Sequence, residues 1–462
     1  MAGFHIEHFG CRAARADGEA IGSRLLAAGH CMQQGGQADV VIVNTCSVTA
    51  EADRAARAFI RRTHRSNPAA QIVVTGCYAQ RAPEELSGMA GVAAVVGNSH
   101  KALAPEIVLG LTRGEASADA RPNLIPVQSL LAPAGVRHAP VWADDRFAHS
   151  LLEEGQLVPG EQTRPNLKIQ EGCGNRCTFC VIPWTRGSSK SLPRAAVLRQ
   201  VEGFVAAGGN ELVLSGINLG RWGWDLPERQ RFSGLVREIL ERTALPRLRL
   251  SSIEPMDWDE DLIGLMREFG GTRLARHAHL PLQSGSDAVL RRMHRRYRPW
   301  HYAEKVEKLL RAAGPDLTLG ADVMAGFPGE TEAEFEETMG FLGVLPFGYL
   351  HLFPFSPRPG TRGWALHAAD PVPAGAVEER MRALRALAAE KMRAHRNRFV
   401  GRELGAITLH TPPAAAAQGR TAVLTENFLP VAMEGRFDAN RLLRVRVRGL
   451  SSRAELEGYA IV

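Results

Sequence analysis

Short apolar runs alternate with amphipathic stretches through the N-terminal part of the chain. FHIEHF (4–9), VVIVN (40–44), QIVVT (71–75) and VAAVV (92–96) have the length and β-branched content of buried strands. AEADRAARAFIRRTHR (50–65), between two of them, has helical periodicity. Together they predict a small parallel α/β sheet. After the helical APEIVLGL (104–111), a stretch rich in Ala, Pro, Gly and Asp reads as a long connection. From PNLKIQEGC (165–173) strand and helix alternate again: LKIQ, ELVLSG, RLRLSS, AHLPLQ, LTLGADV and YLHLFPF are each followed by loop residues and a helical segment. Six such units predict a partial parallel (β/α)6 barrel with its functional loops at the carboxyl ends of the strands. FPGETEAEF (327–335) reads as a turn and a helix start, and AVEERMRALRALAAEKMRAHRNRFV (376–400) as a long helix. Beyond Gly401, GAITLH, TAVLTEN, LPVAM, LLRVRVRGL and LEGYAIV predict a compact antiparallel β-barrel module. The expected organisation is therefore an N-terminal domain over 1–110, a linker over 111–163, a barrel over 164–398 and a β module over 399–462.

At 462 residues the chain has room for two or three cores, and 45% hydrophobic with 23% charged residues is ordinary for a globular protein. No apolar run reaches the length of a membrane span, and MAGFHIEHFGC has no secretory-signal pattern, so a cytoplasmic protein with no membrane partner is expected. In that reducing compartment an odd count of seven cysteines favours thiolate chemistry or metal binding over disulfides. The formal charge of +7 is compatible with a polyanionic partner, but only weakly so.

CGNRCTFC (173–180) places Cys173, Cys177 and Cys180 four and three residues apart. Three thiolates are too few to close a structural zinc site, whereas a cubane iron-sulfur cluster held by three cysteines keeps one iron open to a ligand. Gly172, Gly174 and Asn175 favour a loop there over a helix face. A second set follows strands: Cys11 after FHIEHFG, Cys46 after VVIVNT and Cys77 after QIVVTG. Parallel strands present their carboxyl ends on one edge, so these three can meet in space. They read equally as interior cysteines or as ligands of a second cluster. Cys31 is at no strand end and reads as a bystander.

CGNRCTFC, preceded by a strand and Gly172 and with Phe179 before its last cysteine, resembles the radical S-adenosylmethionine signature. Both triplets, taken with NTC (44–46), VTGCYAQ (74–80), VIPWTRG (181–187) and HLPLQSGSDAVLRRMHRRY (279–297), resemble the radical S-adenosylmethionine methylthiotransferases over nearly the whole chain. The resemblance implies two [4Fe-4S] clusters, one on Cys173, Cys177 and Cys180 that cleaves S-adenosylmethionine, and an auxiliary one on Cys11, Cys46 and Cys77. It implies two uses of that cofactor: one molecule methylates sulfur associated with the auxiliary cluster, and another is reduced to a radical that takes hydrogen from C2 of an adenine, which then receives the methylthio group. NTCSVTAEADRAARAFIRR with NPAAQIVVTGCYAQ is most similar to the branch acting on threonylcarbamoyladenosine beside the anticodon of tRNA. Neighbouring branches act on isopentenyladenosine of tRNA or on an aspartate of a ribosomal protein. A non-enzymatic iron-sulfur protein that binds RNA or carries electrons is the distant alternative. The family usually has Asn where Ala14 stands.

The resemblance also implies an electron-donor protein as a partner, and the chain is expected to act as a monomer. Phe179 is an expected cofactor contact. Ser215, Gly216 and Asn218 occupy the place of the superfamily's Gly-Gly-Glu motif, with Asn in place of the acid. Ser251, Glu254 and Gln283, also at strand ends, read as cofactor contacts or as ordinary turn residues. For RNA, Arg54, Arg57 and Arg61 (with Arg65) recur at helical spacing, Arg295 and Arg296 lie in RRMHRRYR beside a tyrosine, and Arg444 and Arg446 alternate along RLLRVRVRG. Each set reads as an RNA contact or as a solvated face.

Overall fold

The structure is a computed structural model describing residues 2–113, 138–147, 150, 152, 163–451 and 454–461. Residues 114–137 and 153–162 of the expected linker lie outside the described residues. The chain divides into two compact units. One comprises Met1–Gln156, Glu171–Lys190 and Ser356–Thr361; the other comprises Leu157–Gln170, Ser191–Phe355 and Arg362–Val462. All six candidate cluster cysteines therefore belong to the first unit, although the 173–180 loop follows a barrel strand in sequence.

The first unit is built on strands β1 (Gly3–His8), β2 (Cys31–Met32), β3 (Val40–Thr45), β4 (Gln71–Gly76), β5 (Val92–Gly97) and β6 (Val141–Trp142), ordered β2-β1-β3-β4-β5-β6. Every pairing in this sheet is parallel. A parallel sheet is covered on both faces, which is why these strands are continuous apolar runs. Val41, Val43, Ile72 and Val74 pack on one side with Ala56 and Ile60; Val40, Ile42 and Val73 pack on the other with Ile21, Leu25 and Ile107. Strand β6 comes from the stretch read as a connection. Two residues have no periodicity to read, and both are buried against the sheet. Helix α1 spans Arg12–Ala27. Helix α2 (Ala50–Ser66) starts where the Thr49 side chain accepts the Ala52 N–H, with Glu51 and Asp53 in its first turn. Helix α3 (Cys77–Arg81) follows β4 directly.

In the second unit, β7 (Asn166–Glu171), of which the last residue lies in the first unit, pairs in parallel with β9 (Glu211–Gly216), and β9 with β10 (Arg247–Leu250). The two-residue β8 (Lys190–Ser191) lies at the outer edge of β7. Strand β11 (His277–His279) continues in parallel to β12 (Thr318–Ala325) and β13 (Phe347–Pro354), and the bridge Leu248–Leu274 joins the two sheets. Six parallel strands thus follow one another in chain order, as a partial barrel requires. FPGETEAEF forms the expected helix start, a reciprocal capping box between Thr331 and Glu334.

Strands β14 (Glu403–Thr408), β15 (Arg420–Thr425), β16 (Pro430–Glu434), β17 (Leu442–Leu450) and β18 (Leu456–Ile461) close into a barrel. All pairings are antiparallel except β16 with β18, which is parallel. An odd number of strands cannot close a ring with every neighbour antiparallel, so one parallel pair follows from the count of five. Val445 and Val447 point into this barrel while Arg444, Arg446 and Arg448 point out, the two-residue period of a half-buried strand.

His395 on the long C-terminal helix is buried, its Nε2 at 2.9 Å from Thr318 Oγ1. Burial, with help from Arg398 and Arg396, lowers its pKa from 6.5 to about 4. The unfolded chain therefore takes up this proton first as pH falls, and the contribution to stability is complete above about 6.5 and gone near 4. That lowering corresponds to about 3 kcal/mol. The unfolding midpoint of the wild-type chain should accordingly fall more steeply between pH 7 and 5 than that of His395→Gln; equal slopes would contradict the assignment.

Candidate functional site

In the first unit, two cluster cysteines are launched by glycines that no other residue could replace. Gly76 has φ +98°, and a Cβ there would lie 2.3 Å from the Thr45 carbonyl oxygen. Gly172 has φ +69°, and a Cβ would lie 2.0 Å from the Ser188 carbonyl oxygen. The first sets Cys77 at the start of α3; the second turns the chain into the loop of Cys173. That loop closes on itself, with Cys173 N–H donating to Gly187 O (3.1 Å) and Cys180 N–H to Cys177 O (3.1 Å).

Cys11 is exposed, Cys46 half-buried and Cys77 buried, and none of the seven cysteines is in a disulfide. Burial pushes the Cys46 thiol up to about 12, and the charges of Cys77 and then Cys11 push the same way. Cys11 and Cys77, from the ends of β1 and β4, thus lie near enough to Cys46, at the end of β3, to oppose its ionisation. Such a donor set fits a metal centre, because a bound cation removes the penalty and takes the thiolates directly. At the first cysteine, Asn44 from the NTC segment donates to the Ala14 carbonyl, so backbone rather than a residue-14 side chain completes the bonding at the start of α1.

Arg186 ends the short helix Ile182–Arg186 and is fully buried beside this triplet. Its Nε donates to Cys77 Sγ at 3.2 Å, and its Nη1 to Glu171 Oε1 at 2.6 Å and Asp17 Oδ2 at 3.0 Å. Lys101 pairs with Asp17 at 3.2 Å and with Glu171. Asn98 Nδ2 reaches Cys77 Sγ at 3.4 Å and the Thr185 carbonyl at 2.8 Å. Asp53 on α2 is clamped between Arg81 (2.8 Å) and Arg358 (2.6 Å), while Arg81 Nε bonds Ser47 Oγ (2.6 Å), tying the loop after Cys46 to the helix of Cys77. Sequence reading missed Arg186 and Asn98. Arg186 stands in the quoted VIPWTRG, but its role depends on a cysteine 109 positions away.

In the second unit, Ser215, Gly216, Asn218, Ser251, Glu254 and Gln283 follow strands of the partial barrel. Gln170 Oε1 accepts the Asn218 N–H at 2.7 Å, and a Cβ on Gly216 would meet the Gln170 side chain at 2.9 Å. Ser215 Oγ and Gln283 Oε1 are buried without a hydrogen-bond partner among the described residues, and Gln283 has φ +71°. Buried polar atoms left unsatisfied at strand ends fit a polar ligand. Glu254 is instead committed to Arg295, at 2.6 Å.

Arg295 is therefore not a surface group. It is 7% exposed, bonded also to Tyr297 Oη at 3.0 Å, and Tyr297 is itself buried and donates to Pro281 O and Leu282 O. A buried guanidinium needs a carboxylate partner, and Glu254 supplies it. Arg296 is exposed, as are Arg54, Arg61 and Arg65; Arg57 is half-buried against Tyr78 and Glu85. Arg444 and Arg446 are exposed and share Glu403.

His279, Asp322 and His351, on β11, β12 and β13, were not singled out from sequence. Asp322 holds His279 Nε2 at 3.1 Å and His351 Nδ1 at 3.3 Å, and Tyr349 Oη bonds His279 Nδ1 at 3.0 Å. Burial raises the Asp322 carboxyl, but these two imidazoles outweigh it and hold it well below the usual range. The two imidazole nitrogens facing Asp322 already engage its carboxylate, so the triad is complete as a hydrogen-bonded network.

A three-cysteine loop after the first strand of a partial parallel barrel defines the class: a radical S-adenosylmethionine enzyme. Residues 167–342 match the model of the Radical SAM superfamily, and residues 3–97 match that of Uncharacterized protein family UPF0004. The chain is 33% identical over 443 residues to a threonylcarbamoyladenosine tRNA methylthiotransferase of Aquifex aeolicus, covering 96% of this chain and 99% of that one. It is 34% identical over 410 residues to a tRNA-2-methylthio-N(6)-dimethylallyladenosine synthase of Cereibacter sphaeroides, covering 87% and 86%. Among solved structures, the radical S-adenosylmethionine methyltransferase TsrM from Kitasatospora setae superposes with a TM-score of 0.52 at 15% identity, over 77% of this chain and 75% of that one, a likeness of fold alone. The chain belongs to the radical S-adenosylmethionine methylthiotransferase family and is a transferase enzyme. Membership implies S-adenosylmethionine and a [4Fe-4S] cluster as cofactors. No helix among the described residues is long and apolar enough to cross a membrane.

Proposed function

We propose that this enzyme methylthiolates C2 of N6-threonylcarbamoyladenosine beside the anticodon of tRNA, with two [4Fe-4S] clusters, one on Cys173, Cys177 and Cys180 and an auxiliary one on Cys11, Cys46 and Cys77. The observation that carries the reading is the gathering of the second triplet around Arg186, in the same unit as the three-cysteine loop. Relatives named as threonylcarbamoyladenosine enzymes match 87–98% of the chain at 30–33% identity, which supports the branch, while those named for dimethylallyladenosine match 87% of it at 34%.

When bound, the clusters supply the electron that cleaves S-adenosylmethionine and a place for the sulfur that is transferred. The chain's own residues supply the rest. Ser215 Oγ and Gln283 Oε1 offer polar contacts to the cofactor at the strand ends, and Gly216 makes room for the Gln170 side chain that accepts the Asn218 N–H. Exposed Arg54, Arg61, Arg296, Arg444 and Arg446 offer phosphate contacts, the sequence-independent part of RNA affinity. Trp184, 55% exposed on the helix that ends at Arg186, offers a face for stacking an unpaired base. Arg57, half-buried against Tyr78 and Glu85, keeps a partly exposed guanidinium beside them, whereas Arg295 is buried against Glu254 and takes no part in this role. The electron comes from a separate donor protein, and the enzyme acts as a cytoplasmic monomer.

Deleting the gene and analysing digested tRNA by mass spectrometry tests the substrate. Methylthio-threonylcarbamoyladenosine should vanish while threonylcarbamoyladenosine remains. Loss of methylthio-isopentenyladenosine instead would move the enzyme to the neighbouring branch, and tRNA unchanged in both would leave the ribosomal protein as substrate.

A further inference from the structure

Arg186 is better placed to act on the auxiliary site than to hold the fold. A guanidinium at 0% exposure stabilises a protein only if its donors are used. Its Nη1 serves Asp17 and Glu171, but Nη2 is buried with no hydrogen-bond partner among the described residues. The remaining donor, Nε, is directed to a cysteine sulfur rather than to a carboxylate or carbonyl. Lys101 pairs with the same two carboxylates, so Asp17 and Glu171 are shared between two cations. Beside those carboxylates, Cys77 Sγ is the further acceptor that this cation meets, at 3.2 Å from Nε. Asn98 adds a second, neutral donor to the same sulfur.

We propose that Arg186 is a positioning residue of the auxiliary site, whose charge and Nε–H donated to Cys77 Sγ raise the reduction potential of the cluster held there. This deepens the reading of Cys11, Cys46 and Cys77 as cluster ligands and rests on it. Hydrogen bonds to cluster sulfurs, and nearby positive charge, favour the more negative reduced state and so set the potential. The residue reaches this sulfur because its helix follows the Cys173 loop, whose first cysteine is bonded to Gly187 O. One segment therefore supplies three thiols to one site and a cation to the other.

The test uses the full-length chain carrying Cys173→Ala, Cys177→Ala and Cys180→Ala, so that only auxiliary iron is read. With Arg186 intact it should bind about four irons after anaerobic reconstitution. Arg186→Gln should bind the same iron, while an EPR-monitored redox titration finds its reduced-to-oxidised ratio about tenfold lower at the potential where the parent chain is half reduced, a shift of about 59 mV for one electron. Arg186→Lys, which keeps the charge, should recover part of the shift. Full iron with an unchanged midpoint in Arg186→Gln overturns the proposal. So does loss of iron in both variants, which would make Arg186 a support of the fold. A parent chain that binds no iron would identify the failure as that of the auxiliary-cluster reading itself.

Discussion

Converting Cys11, Cys46 and Cys77 together to Ala should lower the iron content after anaerobic reconstitution from about eight to about four per chain, because each cubane holds four irons. Reductive cleavage of S-adenosylmethionine should survive in that variant, since Cys173, Cys177 and Cys180 are untouched, while methylthiolation should fall below detection. The physical basis is the setting of Cys46, whose thiol is pushed up to about 12 first by burial and then by the nearby charges of Cys77 and Cys11. A bound cation offsets the cost of ionising Cys46, and the substitutions remove all three thiols proposed to hold it. Iron analysis and a cleavage assay on one preparation decide the matter; retention of all the iron would refute the auxiliary centre.

Glu211→Gln should destabilise the second unit by about 3–5 kcal/mol, the cost typical of breaking a buried ion pair from one side. Glu211 is fully buried on β9 and meets Arg249 at 2.8 Å, Arg247 at 3.2 Å and Arg164 at 3.4 Å. Arg249 is itself fully buried and donates to the Thr425 carbonyl at 3.1 Å, so the network also joins the partial barrel to the C-terminal one. Burial pushes the Glu211 carboxyl up, but Arg249, Arg164 and Arg247 outweigh it and the net shift is downward. Its contribution is thus present above the ordinary glutamate range and lost as pH falls through the lowered value. A neutral amide removes the carboxylate that all three arginines share, and denaturant unfolding at pH 7 should show the loss; a midpoint within experimental error of wild type would show that other groups, Glu426 among them, suffice for the arginines.

Much of the architecture is legible because it is local. The apolar run 40–43 is buried on both faces of a parallel sheet, and the alternation of Val445 and Val447 with Arg444 and Arg446 is that of a strand with one wet face. Glycines before Cys77 and Cys173 announce the turns that present those thiols. The basic segment 291–298 misleads for the opposite reason. Its composition suits RNA, but Arg295 is turned inward by Glu254, 41 residues away, and Tyr297 by the carbonyls of 281 and 282. Strand β6 and the single parallel closure of the C-terminal barrel have no local signal either.

What this sequence determined by itself was the set of elements, the three-cysteine loop and the strand ends that carry the other three thiols, because periodicity, turn chemistry and ligand spacing act over a few residues. Tertiary structure alone decided which charges are interior. Arg186 comes to Cys77, Arg295 to Glu254 and Glu211 to its three arginines through contacts spanning from 36 to 109 residues. A buried charge is tolerated only where the fold brings it a partner, and that partner's position in the chain is set by no local rule.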